Sequence, residues 1–264
     1  FYCDGESCSG VYTVTDAQIG EKSINGVIYQ ACLENDCDYV AKWQSKIDIA
    51  IAEAKVQQFA AVHNLAPKVQ QIWVCQEGAI IIMDAMSIAV SRLIKALSPQ
   101  QLQATIDYNL NVFRKKIGGD MKTDFVKTVE DLRKLRSDIN KKLYARGDSP
   151  LPDVETIPDT DEQKENRKRI MMDVFQLLND LHKLGIVHKD AHLNNFMADK
   201  NMKIKIIDFG MATELHDDFL VDYKRAVRNI SQYINEGYTN LDYLEEFCKM
   251  KIESMLNLNG NGSL

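Results

Sequence analysis

Along the first ninety residues, apolar positions come in short β-branched or aromatic runs separated by polar residues. Val11 to Thr15, Gly26 to Gln30 and Asp38 to Lys42 each read as a strand bounded by Gly, Asn or Asp. Leu33-Glu34-Asn35-Asp36 is turn chemistry and predicts a hairpin between the second and third runs. From about Lys46 to His63 the chain turns to Ala, Gln, Glu and Lys, which predicts a helix. Gln71 to Cys75 and Ala79 to Met83, joined at Glu77-Gly78, predict a second hairpin. The order describes a small antiparallel sheet with one helix laid on it.

Beyond Ser98 the apolar spacing lengthens to three and four. Ser98-Pro99-Gln100-Gln101 is a helix start: a capping oxygen, proline at the first helical position, and glutamine three residues after the cap. Helical spacing then continues, broken at Gly118-Gly119, to about Tyr144. The stretch from Gly147 to Asp161 holds Pro150, Pro152 and Pro158 and reads as an exposed loop. A long helix follows from about Glu162 to Leu184, with Ile170, Val174, Leu177, Leu178 and Leu181 on its apolar stripe and Gly185 as its stop. Phe196 to Ala198 and Lys203 to Ile207 are short apolar runs joined by the turn Asp199-Lys200-Asn201. Helices close the chain, and Asn257 to Leu264 reads as a frayed polar tail.

Composition narrows the classes. With 264 residues, 45% hydrophobic and 27% charged, the chain can bury a sizeable core and is not a disordered polymer. A net charge of −6 argues against a global polyanion binder. The longest apolar run, Ala79 to Met83, is too short to cross a bilayer, so no transmembrane segment is predicted and the expected location is intracellular and cytosolic. The chain begins at Phe1, which leaves room for a leader or a further domain upstream. Six cysteines at this length do not make a disulfide scaffold. Cys3 with Cys8 and Cys32 with Cys37 have matching spacings, which suit either a zinc site or two ordinary hairpins carrying reduced thiols. Cys75 and Cys248 lie among apolar neighbours and read as core.

The chemistry concentrates in two segments, Gly185 to Met197 and Lys205 to Gly210. Asp190 opens a loop after a helix and a short strand, Asn195 lies five residues on, and Asp208 ends the next hydrophobic run. A hairpin between the two runs brings all three to one edge. A carboxylate and an amide oxygen are hard ligands suited to Mg²⁺, which keeps its other positions for water and phosphate oxygens. A third carboxylate, near the metal but not bound to it, can orient a hydroxyl and accept its proton. Phosphoryl transfer needs that combination of positioning and charge neutralisation.

His188-x-Asp190 with Asn195 and Asp208-Phe209-Gly210 resembles the catalytic loop and metal-binding motif of the protein-kinase-like superfamily. The resemblance implies an α+β, bilobal fold: residues 1–86 as the small lobe and hinge, and 87–264 as a mainly helical lobe with a helical insertion at about 98–160. It implies ATP with Mg²⁺, Mn²⁺ being the alternative ion. Asp190 takes the base position, and Asn195 and Asp208 the metal positions. Val40-Ala41-Lys42 is similar to the strand whose lysine grips the α- and β-phosphates, with Glu53 as its partner on the next helix and Asp48 as the nearby acidic rival. Gly20 to Gly26 with Val27 looks like a degraded glycine-rich phosphate loop without its middle glycine. By the same resemblance Met83 guards the adenine pocket, and the main chain of Asp84 and Met86 faces the base. Asp222 resembles the acid that anchors the catalytic loop, and His188 braces that loop.

Two departures bear on substrate. About seventy-five residues separate the hinge from the long helix, and only 54 follow Gly210, with no long activation segment. His192 stands where serine/threonine kinases usually carry lysine, and Lys189 where they carry arginine. The leading reading is an atypical serine/threonine protein kinase acting on a protein hydroxyl. A small-molecule kinase of the aminoglycoside or choline type and a pseudokinase scaffold stand as alternatives. From Arg114 to Arg146 there are eleven Lys or Arg against five Asp or Glu. That stretch suits an acidic partner or, equally simply, a solvated helix pair.

Overall fold

The computed structural model describes residues 12–19, 26–96, 99–119, 121–124, 129–150, 159–214, 219–235 and 241–260. Five strands, β1 (Tyr12–Gln18), β2 (Val27–Leu33), β3 (Asp36–Gln44), β4 (Val69–Cys75) and β5 (Gly78–Asp84), form one antiparallel sheet in the order β1-β2-β3-β5-β4. Helix α1 (Ile47–Val62) connects β3 to β4. The chain is α+β, with this sheet followed by a mainly helical remainder, the protein-kinase-like arrangement.

The apolar run of β5 is buried on both faces. Ile80 and Ile82 join Tyr12, Ala31 and Ala41 on one side, while Ala79, Ile81 and Met83 meet Ala50 and Ala54 of α1 on the other. Alternation along a strand divides its side chains in this way, and an unbroken apolar run is what a strand covered on both faces requires. Alanines at 50, 54 and 60 line the inner face of α1 and let it lie close to the sheet. Glu53 and Gln57 are buried on that same face, so α1 brings polar groups inward as well.

Contacts divide the chain into two units, residues 1–91 with 170–229, and residues 92–169 with 230–264. In the first, β6 (Ile88–Ala89), β8 (Phe196–Ala198) and β9 (Ile204–Ile206) form a small sheet, and β7 (Ile186–Val187) pairs with β10 (Thr213–Glu214). Helix α2 (Val90–Lys95) follows β6, and neither was legible as a separate element. In the second unit, α3 (Pro99–Lys116) and α4 (Val129–Ala145) share a core of Ile106, Leu110 and Phe113 against Leu132, Leu135, Ile139 and Leu143. The basic stretch is therefore an amphipathic helix pair packed on its own apolar stripe. Helix α5 (Asp161–Lys183) opens on a reciprocal capping box in which the Thr160 and Gln163 side chains each accept the other's backbone N–H, at 2.9 and 3.2 Å. Gly185 follows α5 at φ 79°, the left-handed stop that glycine supplies. Helices α6 (Leu220–Asn235) and α7 (Asp242–Gly260) end the described chain.

Three expectations need correction. Cys32 and Cys37 are joined as a disulfide, neither reduced nor held for zinc, because the tight turn between β2 and β3 brings their Cα atoms within 3.9 Å. Cys3 and Cys8 lie outside the described residues, and those residues contain no group of three or more His, Cys, Asp or Glu suited to a metal. Cys75 is exposed, because it sits at the solvent end of the β4–β5 hairpin, whereas Cys248 is buried and its thiol is pushed up to about 12 by burial. Helix α7 continues to Gly260, so residues 257–260 are helical and not a frayed tail. The Ser98 cap and residues 261–264 lie outside the described residues.

Candidate active site

β3 alternates, so Val40, Lys42 and Gln44 face α1. Lys42 Nζ donates to Glu53 Oε1 at 2.6 Å, and Gln44 Nε2 donates to the other Glu53 oxygen at 2.5 Å. Both oxygens of a carboxylate buried to 2% exposure are thus satisfied, as a buried charge requires. Lys42 Nζ also donates to Asp208 Oδ1 at 2.7 Å. Burial alone would pull the Lys42 ammonium down, but Glu53 and Asp208 outweigh it and hold it above the ordinary lysine value. Asp48 makes no part of this cluster; Glu53 lies on the buried face of α1, while Asp48 is exposed.

Asp208, two residues past β9, lies in the left-handed region at φ 63°, and a short 3₁₀ turn at Phe209–Met211 follows. Gly210 passes close to α1: an added Cβ would stand 3.3 Å from Glu53 Oε2 and 3.6 Å from Asp208 Oδ1. Glycine therefore keeps that crowded approach open beside the two carboxylates.

The loop from His188 to Asn195 is pinned from below by Asp222, wholly buried on α6. Its oxygens accept the backbone N–H of His188 and of Lys189, each at 2.8 Å, and Oδ2 also meets His182 Nε2 at 2.9 Å. Lys189 takes φ 62°, so these two anchored amides hold a strained corner in place. Asn229 of α6 adds a third tie, accepting Leu193 N at 2.8 Å. His188 is fully buried; its Nδ1 accepts Asp190 N at 3.3 Å, so its Nε2 carries the proton donated to Ile207 O at 3.0 Å. Burial holds its pKa below the ordinary histidine value, consistent with that neutral tautomer.

Asn195 Nδ2 donates to Asp190 O at 2.9 Å and to Asp190 Oδ2 at 3.1 Å, so both contacts are made by its amide nitrogen and not by its oxygen. Ile207 N donates to Asn195 O at 2.9 Å, seating Asn195 beside the segment that carries Asp208. Arg225 had no sequence signal: its guanidinium, on α6, meets Asp190 Oδ1 at 2.5 Å. His192, singled out from sequence for standing in place of lysine, has its Nε2 3.5 Å from Asp190 Oδ2. Gln44 and His182 were likewise unforeseen, since each acts through a partner distant in sequence.

The remaining residues read from sequence fall as follows. Met83 is buried against α1, with Gln57 Nε2 at 3.3 Å from its sulfur. The Asp84 amide donates to Lys68 O at 3.1 Å and its carboxylate accepts from Gln70, so of its main chain only the carbonyl stays available to a ligand. Met86 is half-buried in the segment after β5. Val27 is buried opposite Trp43. Gly26 has φ 135°, and a Cβ there would stand 2.2 Å from Trp43 O, so its glycine answers a backbone approach. Gly20, with the rest of the loop to residue 25, lies outside the described residues.

With this geometry in place, comparison with known proteins gives a concordant result. Residues 144–233 match the protein kinase domain family. Over 48 residues the chain is 50% identical to the serine/threonine-protein kinase ppk8 of Schizosaccharomyces pombe, a match covering 17% of this chain and 9% of that protein. It is 40% identical over 86 residues to the serine/threonine-protein kinase PKH1 of Saccharomyces cerevisiae (28% and 11%). Against the serine/threonine-protein kinase PknB of Mycobacterium leprae it is 31% identical over 88 residues (33% and 12%). The chain thus spans about a tenth of the length of these curated relatives. Fold, motif order and matched segment agree in their likeness to protein kinases, the family match itself covering residues 144–233.

Proposed function

We propose that the chain is an ATP-dependent protein kinase that phosphorylates serine or threonine hydroxyls, of an atypical type in which only Met211 to Val221 separate Gly210 from Asp222. The observation that carries this reading is the single ammonium of Lys42 bonded at once to Glu53 and Asp208, close to a loop that presents Asp190 and Asn195. In this reading residues 1–86 carry the nucleotide side and residues 87–264 the catalytic loop, with 98–160 an insertion. Lys42 grips the α- and β-phosphates, and Glu53 fixes Lys42. Gly26, Val27, Met83 and the main chain of Asp84 and Met86 border the nucleotide.

One carboxylate and one amide, Asp208 and Asn195, fit a hard divalent cation that takes its other ligands from phosphate and water; Mg²⁺ or Mn²⁺ held there neutralises phosphate charge. Asp190 accepts the proton of the acceptor hydroxyl as its oxygen forms a bond to the γ-phosphorus. The bond from that phosphorus to the β–γ bridging oxygen breaks, and ADP leaves with the electron pair. Water exclusion and positioning, more than covalent chemistry, are what these residues contribute.

The test is incubation of the purified protein with γ-labelled ATP, Mg²⁺ and a dephosphorylated general protein substrate. Label on serine or threonine, absent from Asp190→Ala, is the expected result. Label confined to soluble metabolites overturns the protein-kinase reading.

A further inference from the structure

Asp190 does not stand ready for a hydroxyl. Its Oδ1 is held by Arg225 Nη2 at 2.5 Å, and its Oδ2 by Asn195 and, at longer range, His192. The same guanidinium donates through Nη1 to Lys189 O at 3.2 Å, so Arg225 clasps the catalytic loop at two points. Two of its five N–H donors are used in these contacts, and its side chain is 48% exposed. An oxygen held by an arginine is not open to an incoming hydroxyl until the arginine moves. The arginine is half in solvent, where it can meet another anion, while the Asp190 side chain is only 15% exposed.

The helix that carries Arg225 indicates which anion displaces Asp190. The sole acid of α6 is Asp222, which is wholly buried, while Lys224, Arg225 and Arg228 are all exposed on it. Lys189 adds an exposed cation from the loop itself. The outward charge of α6 beside Asp190 is therefore entirely positive, within a chain whose net charge is −6.

Building on the kinase reading above, we propose that Arg225 is a specificity residue selecting an acceptor with an anionic group close to the reacting hydroxyl. A carboxylate or phosphate on the substrate draws the guanidinium away from Asp190 Oδ1. Recognition of the anion and release of the base are then one event. The acceptor class is an acidic peptide segment, its negative charge coming from Asp and Glu side chains or from an existing phosphoryl group. Arginine suits both because its planar fork pairs bidentately with either oxyanion.

The experiment uses four peptides sharing one serine acceptor, flanked by glutamate, phosphoserine, alanine or lysine, with wild-type protein and Arg225→Gln. Transfer from labelled ATP gives kcat/KM, and fluorescence anisotropy gives peptide affinity without chemistry. The wild type should favour the glutamate or phosphoserine peptide over the alanine one by at least about tenfold, and comparison of the two acidic peptides identifies the source of charge. In R225Q that ratio should fall to within about twofold. An unchanged ratio in R225Q, a uniform loss on all four peptides, or no acidic preference in the wild type overturns the proposal. If no peptide is labelled but acidic peptides bind selectively and R225Q abolishes that selectivity, the anion site stands and the kinase reading fails.

Discussion

Lys42 on β3 and Asp208 just past β9 are 166 residues apart in the chain, yet their side chains meet at 2.7 Å. That contact joins the five-stranded sheet to the segment after the β8–β9 hairpin through one ammonium, with Glu53 of α1 on its other side at 2.6 Å. Three buried or half-buried charges share a small volume, and Lys42 is the one cation common to both carboxylates. Losing that ammonium removes the pairing of two carboxylates at once, the costly way to break a buried ion pair.

Lys42→Met is therefore a double test. Without the ammonium, Glu53 and Asp208 face each other with no cation between them. Stability should fall by about 3 kcal/mol, at the lower end for breaking a buried pair. Urea denaturation reads this directly. Transfer to a protein substrate should fall by at least about a hundredfold, in line with loss of a preorganised charge at the phosphates. Near-wild-type stability with full activity would remove Lys42 from both roles.

Asp190→Asn isolates chemistry from binding. The amide keeps the size of the side chain and can still meet Asn195, but it cannot accept a proton. Removal of a general base costs about 10²–10⁴ in rate. Calorimetric ATP affinity should change less than about threefold, since no phosphate contact is assigned to Asp190. A variant that loses ATP affinity as strongly as rate would show that the loop, and not the base, had been damaged.

Much of this site was legible because its parts lie close in sequence. Asp190, Asn195 and Asp208 fall within nineteen residues, and the turn at Asp199 to Asn201 already implied the hairpin that gathers them. Lys42 and Glu53 were legible as a strand followed at once by a helix. Arg225 and Gln44 were not, because nothing local distinguishes them from solvated residues; their contacts depend on how α6 and α1 settle against the loop and the sheet. The disulfide escaped for a related reason. The Cys32–Cys37 spacing suits a metal as well as a bond, and only the β2–β3 pairing decides between them. Cys75 looked like core because its sequence neighbours are apolar, but a strand end beside a two-residue turn reaches water whatever its neighbours are.

Asp222→Asn should destabilise more than its distance from the reacting atoms suggests. Both carboxylate oxygens accept buried backbone amides, and an amide side chain can replace only one acceptor. The other position then sets an N–H against an N–H. An unsatisfied buried donor costs about 1–3 kcal/mol, and the disturbed contact to His182 adds to it, so about 3 kcal/mol is expected. Thermal unfolding measures this, and kcat should fall as the Lys189 corner relaxes. A stability change under about 0.5 kcal/mol would mean that the loop is held by other contacts.

His188 gives a pH dependence with a definite sign. Burial lowers its pKa below 6.5 in the folded protein, while the unfolded chain keeps the ordinary value. Below that ordinary value the unfolded state binds the proton and the folded state does not. The contribution of neutral His188 is thus complete above about pH 6.5 and declines as pH falls, by up to about 1.4 kcal/mol per unit until the folded pKa is reached. Asp180 and Glu245 do not confuse this window. Hydrogen bonds from Gln176 and Lys183 to the first, and from Lys249 and Ser231 to the second, hold their carboxyls below the ordinary range, so their losses come at lower pH. Urea midpoints between pH 7.5 and 5.5 should therefore fall for the wild type. His188→Gln, which keeps a donor for Ile207 O but cannot titrate, should flatten that slope while starting from a lower stability. Equal slopes in the two proteins would place the titrating group elsewhere and show that His188 takes up a proton without cost in its buried position.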